Sequence, residues 1–113
     1  MAGNNEKLYQ LLGLAQRAGK VVSGANCIGS SSTEKLRCIL ISSDISDNAR
    51  RRFEGISKRA GIPLYVVGDR ETLGRAIGKG QRTVVGITDT GFGKAIEAII
   101  SGERGKVNEL DVD

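Results

Sequence analysis

Cys38-Ile39-Leu40-Ile41-Ser42-Ser43-Asp44 is the stretch on which the fold turns. Four consecutive apolar residues have strand length, and an unbroken run belongs to a strand covered on both faces. The two serines and Asp44 end it with residues that favour turns and caps. Downstream, Ser46 or Asp47 caps a helix whose Ala49, Phe53, Ile56 and Ala60 line one face, and Gly61 and Pro63 close it. Leu64-Tyr65-Val66-Val67 is a second apolar strand. Asp69 then caps a helix that buries Leu73, Ala76 and Ile77 and stops near Gly78. Thr83 to Thr88 makes a third buried strand, and Phe92, Ala95, Ile96, Ile99 and Ile100 define a last helix, which Gly102 ends.

Upstream, Leu8, Leu11, Leu12, Ala15 and Ala18 fall at amphipathic helical spacing, and Gly19 is a natural stop. Lys20 to Gly24 is too short for more than an edge strand. Between Ala25 and Thr33 a second helix is expected to be short or frayed, because Gly29 and Ser30-Ser31-Ser32 are poor helix formers. Short buried strands separated by helices demand crossovers. The expected fold is therefore a three-layer α/β/α sandwich with a small, mostly parallel mixed sheet.

The 113 residues suit one domain, expected over residues 1–102, with 103–113 as an acidic C-terminal tail. That tail carries a net −2 and leaves +6 on the remainder of a chain whose formal charge is +4. A basic body favours a polyanionic partner, nucleic acid first. The chain has no histidine, which rules out a Ser/His/Asp triad, a Cys/His dyad and a His-ligated metal site. Cys27 and Cys38 match no zinc spacing, and two cysteines are few for a small secreted domain, so a reducing, cytoplasmic setting is expected. No apolar run is long enough for a signal peptide or membrane span.

Three stretches carry candidate chemistry. Gly19-Lys20-Val21-Val22-Ser23-Gly24-Ala25-Asn26 is a glycine-bounded strand that delivers an asparagine to a helix start. There glycine lets a phosphate come close, and Asn offers both a donor and an acceptor to a base edge. It reads equally as a turn with a cap. Gly78-Lys79-Gly80-Gln81-Arg82 is a basic loop suited to RNA phosphates, or simply to solvent. Thr88-Asp89-Thr90-Gly91-Phe92-Gly93-Lys94 superficially has the form of a nucleotide-binding turn. It lacks the third glycine of a dinucleotide fingerprint, where Ile96 stands, and the Gly-Lys-Ser/Thr of a Walker loop, so it reads as a helix cap. Asp44, Asp47, Asp69 and Asp89 lie near strand ends but also where caps are needed. Cys27 has no adjacent base to make it a nucleophile.

The order of elements resembles that of the ribosomal protein L7Ae and L30e family of large-subunit RNA-binding proteins. The residues that carry the likeness are the helix Leu8 to Arg17 ending in Gly19-Lys20, the Gly24-x-Asn26 step, Leu73-Gly-Arg-Ala-Ile-Gly78 and Val84-Val-Gly-Ile-Thr-Asp89. It runs from about residue 5 to 101, and the chain is similar to the small bacterial, ribosomal-protein-like members. The resemblance implies recognition of RNA kink-turns or related internal loops, with no cofactor and no catalysis, and no metal site is expected. The family signature implied at the start of the second helix is Gly-x-Asn-Glu-x-x-Lys. Gly24 and Asn26 match it, whereas Cys27 stands in place of Glu and Ser30 in place of Lys. A carboxylate that would accept from guanine edges and a cation for phosphate are therefore missing, and an altered readout is expected.

The leading expectation is a cytoplasmic, non-enzymatic protein that binds ribosomal or other structured RNA and associates with the ribosome, without membrane contact or DNA specificity. Gly24, Ala25 and Asn26 form the expected binding edge. Lys20, Lys79 and Arg82 supply phosphate contacts on the same face, with Arg17 and Lys35 as outer candidates. The alternative is a protein-interaction module on a scaffold that has lost RNA readout, and an enzyme acting on a phosphorylated small molecule comes third.

Overall fold

A computed structural model describes residues 2–24, 28 and 35–112, with side chains described for 6–24, 28 and 35–102. The elements in order are α1 (Ala2–Arg17), β1 (Val21–Ser23), β2 (Cys38–Ile41), α2 (Asp47–Ala60), β3 (Leu64–Val66), α3 (Arg70–Ala76), β4 (Val84–Ile87) and α4 (Thr90–Val112). The helix expected between Ala25 and Thr33 falls outside the described residues.

Helix ends follow the residues that dictate them. After α1, Gly19 takes a φ of 74°, and Lys20 N–H donates to the Ala15 carbonyl at 2.9 Å, closing the helix with a left-handed turn. Ser46 Oγ accepts from Ala49 N–H at 3.2 Å to start α2, and Gly61, with φ 69°, ends it. Asp69 Oδ1 accepts from Thr72 N–H at 2.7 Å to start α3. α4 does not stop at Gly102 as expected but continues to Val112. Gly102 does not adopt a positive φ, and a glycine inside a helix weakens it without obliging it to end.

The sheet has the order β1-β4-β2-β3 and is mixed. Its parallel share is smaller than expected: only β2 with β3 is parallel, while β4 is antiparallel to both β1 and β2. The reason is α3. The loop after it folds back along the helix, with Arg82 N–H donating to the Arg70 carbonyl, so the chain returns to the end of the sheet where β3 left it and enters β4 from there. β1 takes the outer edge, as its length implies.

Alternate residues of β2 serve the two faces. Cys38 and Leu40 pack with Leu8, Leu12 and Ala15 of α1, Leu73 of α3, Val85, Ile87 and Ile96. Ile39 and Ile41 pack with Ile28, Leu36, Phe53, Ile56 and Val84. The layers are thus α1, α3 and α4 on one side and α2 on the other. Gly86 lies under the second cluster, where a Cβ would stand 2.5 Å from Leu36 Cδ2 and 3.2 Å from Ile28 Cδ1. No helix among the described residues is long and apolar enough to cross a membrane.

Candidate nucleic-acid interface

One end of the sheet gathers the exits of three strands and the entry of the fourth. Ser23 pairs with Val85, and Ile41 pairs with both Val84 and Val66, so β1, β2 and β3 all leave where β4 begins. β1 leaves through Gly24, whose φ is 89° and whose N–H donates to the Val84 carbonyl at 3.0 Å. β2 leaves through Ser42, whose N–H donates to the Thr83 carbonyl at 2.9 Å.

Across this end lies α3, fixed at its start by two carboxylates. Asp69 caps it, and the Thr72 backbone N–H holds the Asp69 carboxyl below its usual pKa. Asp44 reaches over from the end of β2. Its Oδ1 accepts from Arg70 N–H at 3.1 Å, and its Oδ2 lies 3.3 Å from Arg70 Nε. The Arg70 carbonyl then accepts from Arg82 N–H at 3.0 Å, which ties the helix start to the loop before β4.

The loop Gly78–Arg82 folds back onto α3. Gly78 turns the chain with a φ of 70°, and Lys79 N–H donates to the Gly74 carbonyl at 2.9 Å. Gly74 is buried, and a Cβ there would stand 1.9 Å from the Gly80 carbonyl oxygen and 2.7 Å from its carbon. Only glycine lets helix and loop approach this closely. Lys79, Gly80 and Gln81 are exposed on the resulting ledge. Arg82 is half-buried: its Nε donates to Ser23 Oγ at 3.3 Å and one Nη to the Gln81 carbonyl at 2.9 Å. A guanidinium has five N–H groups, so donors remain for a phosphate.

The expected site residues divide between two ends. Arg82 bonds to Ser23, the residue before Gly24, with Lys79 on the same loop as Arg82. Lys20 does not join them. Its carbonyl accepts from Thr88 N–H at 3.0 Å, at the far end of β1, and four extended residues span about 13 Å. Arg17 closes α1 at that far end, and Lys35 precedes Arg37, whose N–H donates to the Ile87 carbonyl there. Closeness in sequence to Gly24 misleads here, because even a short strand carries its two ends to opposite edges of a four-residue sheet. Ala25 and Asn26 lie outside the described residues, as do Cys27 and Ser30.

Four residues of this end are absent from the expected binding edge. Ser23 sends no signal of its own, being a small hydroxyl between valine and glycine. Gly74 does send one, since glycine inside a short helix asks for a reason. The Asp44–Arg70 pair is legible only once β2 and α3 are known to adjoin. Elsewhere, Asp89 Oδ2 accepts from Phe92 N–H at 2.9 Å, so the 88–94 turn caps α4. Among the described residues, no three His, Cys, Asp or Glu side chains gather where they would hold a metal ion.

The protein is thus of the small α/β class, with a mixed four-stranded sheet between helical layers and a glycine-set basic loop beside the exit of its edge strand. The chain belongs to the Ribosomal protein L7Ae/L30e/S12e/Gadd45 family, whose model matches residues 6–98. It is 33% identical over 101 residues to the RNA-binding protein YlxQ of Enterococcus faecium, covering 88% of this chain and 97% of that one. It is 36% identical over 93 residues to the RNA-binding protein YlxQ of Bacillus subtilis (strain 168), covering 81% and 93% respectively. A solved structure of a protein with unknown function from Bacillus halodurans C superposes with a TM-score of 0.79 at 34% identity, covering 84% of this chain and 97% of that one.

Proposed function

We propose that this protein is a non-enzymatic RNA-binding protein that meets structured RNA at the sheet end carrying Gly24, Lys79 and Arg82. The observation that most supports this reading is the hydrogen bond from Arg82 to Ser23. It holds a guanidinium beside a glycine turn that leaves room for a phosphate backbone, and the named relatives are RNA-binding proteins. The target is an internal loop of the kink-turn kind in ribosomal or other structured RNA, bound in the cytoplasm and on the ribosome. Its readout differs from the family pattern, because Cys27 and Ser30 replace the carboxylate and the cation of that pattern.

Titration of a kink-turn RNA at several salt concentrations tests this. Affinity should fall with salt by roughly 0.9 in the logarithmic slope for each neutralised phosphate. The pair Lys79→Ala with Arg82→Ala should flatten that slope by about 1.8. Salt-independent binding, or a slope untouched by the double variant, overturns the assignment.

A further inference from the structure

We propose a second RNA contact at the opposite edge of the sheet, in the open cleft between α2 and β3. It takes the phosphate backbone of a duplex arm without reading its bases, and it rests on the RNA-binding reading above. The cleft measures about 570 Å³ and is lined by Arg51, Glu54, Gly55, Ser57, Lys58 and Leu64. Arg51, Gly55 and Lys58 share one face of α2, being spaced by three, four and seven positions, and Arg59 lies four positions beyond Gly55 at its margin.

The charges there are not balanced. Glu54 is engaged by Arg50 at 3.2 Å, and Arg52 donates to the Ile28 carbonyl and lies 5.2 Å from the centre of the Phe53 ring. Arg51, Lys58 and Arg59 remain exposed, with no ion pair among the described residues. Lys58 and Arg59 suit the C-terminal turn of a helix, whereas Arg51 lies in the N-terminal half, where the dipole gives a cation no support. Gly55 is a second local cost on the same face, since glycine weakens a helix interior. No backbone contact demands it: a Cβ there would meet only the Arg59 guanidinium, at 3.2 Å. On this face the missing side chain at Gly55 lets the Arg59 guanidinium lie low over the helix, between Arg51 and Lys58, and none of the three cations has an ion pair among the described residues. That is the charge a phosphodiester backbone requires.

The sheet order puts β1 at one edge and β3 at the other, about 14 Å apart at the usual strand spacing. An RNA seated at Gly24 and Arg82 must therefore extend to reach the cleft, which makes its contribution depend on arm length.

The test uses the full chain and two kink-turn RNAs, one with short arms and one with an arm lengthened by a helical turn. Wild-type protein should bind the longer RNA more tightly. Going from 50 to 200 mM salt should remove about tenfold of that advantage, as expected for two phosphates. Gly55→Glu puts a carboxylate among Arg51, Lys58 and Arg59 and replaces a weak helix former, so it should abolish the advantage with no loss of thermal stability. Arg51→Ala with Lys58→Ala should do the same, while Lys7→Ala with Lys94→Ala, which removes equal charge elsewhere, should keep it. The proposal is overturned by equal affinity of wild type for both RNAs, by an advantage that survives Gly55→Glu, or by an equal loss in the Lys7/Lys94 control. If Lys79→Ala with Arg82→Ala changes nothing while Gly55→Glu removes the advantage, the first site is wrong and the cleft stands. Wild-type protein that binds neither RNA overturns both.

Discussion

Arg82 Nε donates to Ser23 Oγ at 3.3 Å across 59 positions of sequence, joining the loop before β4 to the last residue of the edge strand. The bond orders a guanidinium beside Gly24 before any ligand arrives. Arg82→Ala should lower the logarithmic salt slope of RNA binding by roughly 0.9, the value of one phosphate. Ser23→Ala should leave that slope intact but weaken binding by up to about tenfold, because a released arginine surrenders up to about 1.5 kcal/mol of rotamer entropy on binding. Titrations of both variants on one RNA separate the two effects.

Gly74→Ala should destabilise the fold by about 1–3 kcal/mol, the usual range for overpacking, despite alanine's better helix propensity. The clash is with backbone, the Gly80 carbonyl, and has no rotamer to escape through. Gly102→Ala meets nothing within 4 Å and should be neutral or stabilising by up to about 1 kcal/mol. Urea unfolding of the pair measures the contrast, and RNA titration should find only the Gly74 variant impaired.

Restoring the family residues should restore the family readout. Cys27→Glu with Ser30→Lys should tighten binding to a kink-turn, since one productive base-edge pair is worth about 1–3 kcal/mol, roughly fivefold or more. Comparison with a straight duplex at fixed salt discriminates the cause. Equal tightening on both RNAs means that the new lysine adds only charge, and no tightening means that residues 24–30 do not meet RNA.

Acid should loosen the start of α3 before it loosens the rest. The Asp69 carboxyl is held below its usual pKa, first by the Thr72 N–H that it accepts. A group depressed in the folded state adds stability above its unfolded value, near 3.9, and that stability drains away as pH falls through the lower folded value. Asp69→Asn keeps a capping oxygen but cannot titrate. Melting temperatures should therefore converge for the two proteins as pH falls through the lowered folded value, with wild type gaining relative to the variant as pH rises.

The Cys38 thiol should be inert in the native protein. Burial pushes its pKa up to about 12, and the charge of Glu97 adds to the rise. The unfolded thiol ionises near 8.5, so the contribution of Cys38 to stability is complete below that pH and falls as pH rises toward 12. With Cys27→Ser in place, alkylation at pH 8 should modify Cys38 only in denaturant, and mass spectrometry reads this directly.

What the residues reveal alone is uneven for a physical reason. Local chemistry is legible: Gly19, Ser46, Gly61 and Asp69 end or start helices where their backbone and side-chain preferences dictate. The strand runs Cys38–Ile41 and Val84–Ile87 are buried throughout, as unbroken apolar stretches should be. Direction in the sheet is not local. It depends on where the loop after α3 takes the chain, and here Arg82 is bonded back to Arg70 at the start of that helix. The site divides in the same way. A basic loop is visible in Lys79 and Arg82, but its neighbours Ser23 and Asp44 are supplied by strand register, which also takes Lys20 to the far end.

β4 lies between β1 and β2, so every strand pairing except β2 with β3 waits for it. Such non-local closure slows folding, because loop entropy is lost before the contacts that compensate it form. During synthesis Ser23 emerges 64 positions before Ile87, an interval of about 3–13 s at ordinary elongation rates. Through that interval β1 has no partner, and the apolar edge of β2 stands open to any other strand. A nascent chain cut before Val84 is thus an aggregation-prone fragment, and the last quarter of the chain turns it into a closed sheet.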